Sequence, residues 1–368
     1  MNNHVKSAKE PLIHITKRSS MVWWKSWLIR LSAILLALIL CGFIIVMFTD
    51  YNPIQVYVAM FKGSFGTTRK LWILLQNLAM LLCISLAVTP AFKMRFWNLG
   101  AEGQVLIGGL ATAACMFYMG DSMPTPLMIA IMLVASILAG VIWAIIPAIF
   151  KAKWNTNESL FTLMMNYVAI QLVSCFIMIW VPNGSSVMGV INRTTKSGWL
   201  PDLFGQKYLF NIIIVAVLTI LMFIYLKYSK QGYEISVVGE SENTARYIGI
   251  NVKKVIIRTM VISGAVCGIA GFLLVSGTNH TISKDLAGGN GFTAIMVSWL
   301  AKFNPIMMVL TSLLIVFLQR GAGEIATNFR LNESVADILT GIILFFIIGC
   351  EFFINYKINI RSKHKEGK

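Results

Sequence analysis

Acidic residues are scarce in this sequence. Fifteen Asp and Glu stand against 31 Lys and Arg, and charges of both signs make up only 12% of the 368 residues. A soluble domain carries about twice that fraction, ~25%, so a water-soluble globular protein is excluded. Histidine is as sparse. His4, His14 and His364 lie in the terminal stretches and His280 lies between two apolar runs, so no Ser/His/Asp or Cys/His arrangement for nucleophilic catalysis can be drawn. Cys41, Cys83, Cys115, Cys175, Cys267 and Cys350 all sit inside apolar segments without metal-ligand spacing. There they behave as small hydrophobes, and neither a disulfide nor a metal site is expected. No GxxxxGK[ST] loop and no kinase-type glycine loop occurs, so the chain does not hold ATP by those devices. It does not read as an enzyme.

What is abundant is apolar sequence, 57% of the chain. Apolar runs lie near 28–48, 71–92, 99–119, 127–149, 159–181, 209–226, 255–277, 305–321 and 336–355, with a shorter, more polar one near 292–303. A hydrocarbon core of ~30 Å takes about 20 residues of helix to cross. The chain therefore reads as an all-α, polytopic integral membrane protein with about ten transmembrane helices. One or two of these are broken or re-entrant, the eighth above all.

With the N-terminus inside, about two thirds of the 31 Lys and Arg residues fall on the inner side. That is the bias that sets membrane orientation. It predicts an even number of spans with both termini cytoplasmic, and it makes the net charge of +16 topological rather than a nucleic-acid footprint. The run at 31–48 is too long for the apolar core of a cleaved signal, and no A-x-A-like site follows it. Three regions are expected: a cytoplasmic tail at 1–26, a membrane domain at 27–355, and a basic cytoplasmic tail at 356–368.

Within the apolar sequence, FWNLGAEGQVLIGG (96–109) holds Asn98, Glu102 and Gln104 beside Trp97. A carboxylate in a span is costly unless it faces protein or water, so these four are candidates for a solute path. On a helix Asn98 and Glu102 share a face, with Gln104 pointing elsewhere, so Asn98 is expected to orient Glu102. The same residues also read as a glycine-broken helix start, in which Glu102 is held by helix N-terminal amides, by Asn98 or by a neighbouring helix. In TNESLFTLMMNYVA, Asn157 and Glu158 read as a helix start, and Asn166, two turns further on, is a path candidate. DLAGGNGFTAIMVSWLAKFNP puts four residues, Gly288 to Gly291, before the short polar run. Such glycine-rich interruptions mark unwound helices near a transport path, and Asn290 joins the candidates. Gly264, Gly268 and Gly271 have the small-residue spacing of close helix packing. Glu351 is expected at the inner interface, with no role assigned. The outer stretch 182–208 reads either as a cover over an entrance or as a plain exposed loop.

The inner stretch YSKQGYEISVVGESENTARYIGINVKKV (228–255) is expected to turn at Gly239 and then form a short helix over 239–250. Ser241 is its N-cap, with Thr244 in place of the capping-box Glu. Glu240 and Glu242 sit at the positive end of the dipole, Ala245 and Ile248 make an apolar face, and Gly249 ends it. A short helix held between two spans suits the docking of a partner.

VVGESENTARYIGINVKKV together with SGAVCGIAGFL resembles the cytoplasmic coupling region of bacterial ABC-importer permeases. The branch is the one serving simple sugars, branched-chain amino acids and nucleosides. FWNLGAEGQ resembles the FNIGAEGQ segment of its nucleoside-type members, with Trp97 where the family usually has Phe, and NESLFTLMMNYVA resembles the family's NEVI-T-MLNYIA segment. The likeness runs from about Leu71 to Phe353. It implies a permease subunit that forms the translocation path for a small polar solute, a nucleoside or a simple sugar, in the cell membrane. No cofactor is implied in this chain. ATP and Mg would sit on a separate ATPase docked at Gly239, Glu240, Ser241, Asn243, Ala245, Arg246, Tyr247 and Gly249. A second related permease, or a second copy, and an extracellular substrate-binding lipoprotein are the other implied partners. The residues alone leave open a stand-alone secondary transporter or channel.

Overall fold

The computed structural model describes residues 13–18, 21–48, 51–120, 123–181, 188–330 and 333–360. The basic residues expected inside at Lys6, Lys9, Arg361, Lys363, Lys365 and Lys368 lie outside the described residues, as do 182–187 of the outer stretch. The chain forms two compact units, residues 65–317 and residues 1–64 with 318–368.

Thirteen helices are present among the described residues. They are α1 (Trp23–Phe48), α2 (Pro53–Phe65), α3 (Thr68–Lys93), α4 (Ala101–Met119), α5 (Thr125–Trp154), α6 (Glu158–Trp180) and α7 (Leu209–Tyr228), followed by α8 (Lys230–Glu240), α9 (Glu242–Tyr247), α10 (Val252–Leu274), α11 (Asn290–Leu300), α12 (Pro305–Asn328) and α13 (Glu333–Asn355). Each of the ten apolar runs falls on a helix. Seven are long and apolar enough to cross a membrane: α1, α3, α5, α6, α7, α12, and α10 with the π-turn Val275–Asn279 that continues it. The eighth run, α11, has 11 residues. At 1.5 Å per residue that is about 16 Å, too short to span.

The larger unit is built around α3 and α10, which are mostly buried, while α5, α6 and α7 turn most of their residues outward. Their sequences show why. In lipid, an apolar side chain gains little by leaving the hydrocarbon, so helices associate through small residues that let backbones approach. α10 carries Gly264, Gly268 and Gly271 on this principle. A Cβ at Gly268 would run into the Ser136 carbonyl of α5, and one at Gly271 into the Val105 carbonyl and Gly109 amide of α4. The bulky apolar residues of α5 such as Val134, Leu138 and Ile142 instead face outward.

In the smaller unit α1 packs on α13 around buried Ala33, Cys350 and Ile354. Arg30 of α1 meets Glu351 of α13 at 2.6 Å, so the acid given no role from sequence is half of an ion pair. The stretches read as tails are partly structured. β1 (Ile13–Lys17) pairs antiparallel with β2 (Tyr356–Ile360), in register Ile13 to Ile360 and Lys17 to Tyr356. Among the described residues the regular elements are thus helices apart from this ribbon, and α1 begins at Trp23, inside the stretch 1–26 read as a tail.

Candidate functional site

The motif that opens α4 is an extended turn followed by a helix start, so Asn98 lies before the helix and not one turn behind Glu102 on its face. Its side chain does not orient Glu102. Asn98 Oδ1 accepts the Gly100 amide at 3.1 Å and Gln104 Nε2 at 3.3 Å, and Asn98 Nδ2 donates to Ser263 Oγ of α10 at 3.1 Å. Gln104 therefore points back to Asn98 rather than away from it.

Glu102 is held elsewhere. Its Oε1 accepts the Gly289 amide at 2.8 Å and its Oε2 the Gly291 amide at 2.7 Å. The carboxylate stands in the first turn of α4 and across the first turn of α11, between two helix N-termini whose dipoles both favour negative charge. The glycines permit this. Gly289 has φ +76°, the left-handed region, and a Cβ on Gly291 would stand 2.7 Å from Glu102 Oε2.

Asn166 of α6 closes the third side: its Oδ1 accepts the Gly103 amide at 2.8 Å and its Nδ2 donates to the Leu99 carbonyl at 2.7 Å. Thr162, one turn earlier, accepts the Leu99 amide at 3.1 Å. α6 starts as its sequence says, with the Asn157 side chain accepting the Leu160 amide at 3.1 Å and Glu158 paired to Lys151 at 2.9 Å.

The structure thus gathers Asn98, Glu102, Gln104 and Asn166, all buried, around the start of α4, with Asn98 fully buried and Glu102 9% exposed. Asn290 is half-buried at the first residue of α11. Trp97 stands apart at 45% exposure, its ring 5.7 Å from that of Trp299. Both face a cavity of about 580 Å³ that is also lined by Phe92, Lys93, Gly239 and Phe303.

Sequence reasoning missed Ser263 and Thr162, and it named helix N-terminal amides as one of three holders for Glu102 without pointing to Gly289 and Gly291, because each of these meets its partner only through a long-range contact. It also missed a second buried polar cluster, in which Gln76 of α3 and Asn211 of α7 both reach Thr278 of the π-turn. π-turns are frequent at functional sites, which is the one local signal here.

On the inner stretch, Ser241 is the N-cap, accepting the Thr244 amide at 3.3 Å. The helix it starts, α9, is only six residues long, shorter than 239–250. Gly239 is not a turn; it lies in the last turn of α8, where a Cβ would strike the Lys93 carbonyl. Glu240 and Asn243 are exposed, Ser241 is half-buried, Ala245 is fully buried, and Gly249 takes φ +81° just beyond the helix. Arg246 is exposed and pairs with Glu242 at 3.4 Å, while Tyr247 stands 93% exposed. Ile248, expected on the apolar face with Ala245, points outward at 55% exposure. Behind this knob α8 is fixed to α10 by Glu234 and Arg258, 2.9 Å apart.

The stretch read as outer is packed from Met188 onward. The Ile191 amide donates to the His280 carbonyl at 2.8 Å, the Leu200 amide to Ser276 at 3.1 Å, and the Trp199 ring stacks on the His280 imidazole at 3.7 Å. Burial, aided by Lys207, lowers the His280 imidazole to about 4.

A family model described as "Branched-chain amino acid transport system / permease component" matches residues 71–348. The chain belongs to that family. The permease is 30% identical to "Guanosine ABC transporter permease protein NupP" of Bacillus subtilis, over 87% of this chain and 92% of that one. It is 28% identical to "Nucleoside ABC transporter permease protein NupB" of Lactococcus lactis, over 87% and 90%. It is 25% identical to "Glucose ABC transporter permease protein TsgB13" of Haloferax volcanii, over 95% and 94%. No solved structure matches. The permease is a multi-pass membrane subunit of an ABC importer and not its ATPase.

Proposed function

We propose that the permease forms the translocation path for a nucleoside and is driven by a separate ATPase that carries the ATP and Mg. The observation that carries the docking part is the α9 knob: a short helix with exposed Arg246 and Tyr247, braced on α8 and α10 by the Glu234–Arg258 pair. A lever needs an exposed contact and a rigid base, and this segment has both. Arg and Tyr are also the residue types that anchor protein interfaces.

A second related permease and an extracellular binding lipoprotein complete the assembly. Both termini lie in the cytoplasm. Support for this comes from the Lys and Arg distribution and from the β1–β2 pairing, which brings the start of α1 and the end of α13 to one side. Two of the relatives described above are named for nucleosides or guanosine, and a purine suits a path with exposed aromatic faces such as Trp97 and Trp299. In this reading Trp97 is the path candidate, while Asn98, Glu102, Gln104 and Asn166 hold α4, α6, α10 and α11 together.

The test is to purify the complex with its binding protein and identify the retained solute by mass spectrometry. A nucleoside is expected. A sugar or a branched-chain amino acid would overturn the substrate assignment.

A further inference from the structure

In the smaller unit, the groove between the first half of α1 and the second half of α13 encloses about 740 Å³, within the range of ligand sites. Its walls are apolar: Ile29 and Leu36 on one side, Phe345, Phe346 and Phe353 on the other. Ala33 and Cys350, both buried, form the floor. Leu36, Phe345 and Phe353 are each more than half exposed, so the groove opens sideways, where the surroundings of a membrane helix are lipid. From Ile29 to Leu36 it follows seven residues of helix, about 10 Å.

The end of the groove at the β-ribbon differs in chemistry. Arg18, just after β1, and Lys357, in β2, line it there. Arg18 Nε is buried without a hydrogen-bond partner among the described residues, and its Nη1 reaches only the Met21 sulfur, at 3.8 Å. A buried guanidinium nitrogen left without an acceptor is costly. Nearby Arg30 is already neutralised by Glu351, and no described carboxylate pairs with Arg18 or Lys357.

An apolar groove open to lipid and ending in two cations fits one kind of occupant. We propose that it holds one anionic phospholipid, an acyl chain lying between α1 and α13 and the phosphate accepting from Arg18 and Lys357. Basic pockets between membrane helices bind anionic headgroups by this chemistry. The lipid would join β-ribbon, α1 and α13 into one piece and supply an acceptor to Arg18 Nε, which has none among the described residues.

The test uses the full-length permease, equilibrated with equal amounts of phosphatidylglycerol and phosphatidylcholine of the same chains, with retained lipids counted by native mass spectrometry. Phosphatidylglycerol is expected at one per chain, in preference to phosphatidylcholine. Arg18→Gln with Lys357→Gln should weaken its retention about thirtyfold, some fivefold per charge. If that double variant does not fold, Gly349→Leu decides. Gly349 lines the groove and a Cβ there meets nothing within 4 Å, so a leucine there projects into the groove and should weaken retention of the lipid. Equal retention of the two lipids, unchanged retention in both variants, or equal competition by free glycerol phosphate would overturn the proposal.

Discussion

The Glu102 carboxylate accepts the Gly291 amide at 2.7 Å, across 189 residues of sequence. With the Gly289 amide at 2.8 Å on its other oxygen, this one side chain ties the start of α4 to the start of α11. Hydrogen bonds to a charged group are each worth about 1.5–3 kcal/mol, and a buried donor left unpaired costs more than the bond gained. Glu102→Ala is therefore expected to destabilise the permease by about 3 kcal/mol or more, and Glu102→Gln, which keeps one acceptor, by about 2 kcal/mol. Thermal unfolding of the purified variants checks this, and wild-type midpoints would make Glu102 a tolerated residue.

Two glycines separate packing from propensity. Gly268 touches the Ser136 carbonyl so closely that a Cβ would overlap it, whereas a Cβ on Gly349 meets open space. Gly268→Ala should cost about 1–3 kcal/mol through overpacking. Gly349→Ala should be neutral or stabilise by up to about 1 kcal/mol, because alanine favours helix. Equal effects at the two sites would count against the close α5–α10 contact.

His280 makes stability pH-dependent where the 188–208 stretch packs. Its folded value, about 4, lies below its ordinary 6.5, so between these values the unfolded chain binds the proton and the native one does not. The neutral imidazole is fully compatible with the fold above pH 6.5, and stability falls as pH drops from 6.5 toward 4, by roughly 2–3 kcal/mol in all. Unfolding midpoints of wild type and His280→Gln across pH 4–7 read this directly. A wild-type profile as flat as the variant's would contradict the buried, neutral histidine.

The α9 knob predicts a separation of function. Arg246→Glu with Tyr247→Ala changes only exposed side chains, so the complex should fold and its ATPase should still turn over while uptake falls at least tenfold. Full uptake in that variant would remove α9 from the coupling role.

Much of this architecture was legible in the sequence, for reasons specific to membranes. Apolar length decides which segments become helices, so each of the ten runs fell on one. α2 went unnoticed because its 13 residues include Gln55, Lys62 and Ser64, too short and too polar to signal a span. α8 was hidden by Gly239, which read as a turn but serves as a close-contact point against the Lys93 carbonyl. The β-ribbon joins residues more than 300 positions apart, and no local pattern reports such a pairing.

The site was legible in its residues but not in its bonds. Asn98, Glu102, Gln104 and Asn166 stood out as polar groups in apolar sequence. Helical spacing then assigned Glu102 to Asn98, because it assumed a helix that begins only at Ala101. The true partners, Ser263 and the amides of Gly289 and Gly291, lie on α10 and at the start of α11. Their identity depends on how the helices pack.

In the reading proposed above, the permease carries a nucleoside across a membrane at the expense of ATP hydrolysed by another subunit. The direct measurement is uptake of labelled guanosine and of glucose into proteoliposomes, with the purified permease alone and with the complete complex, each with and without ATP. The account predicts guanosine accumulation only in the complete complex with ATP, and no glucose accumulation. Accumulation of either solute by the permease alone, without ATP, would contradict it.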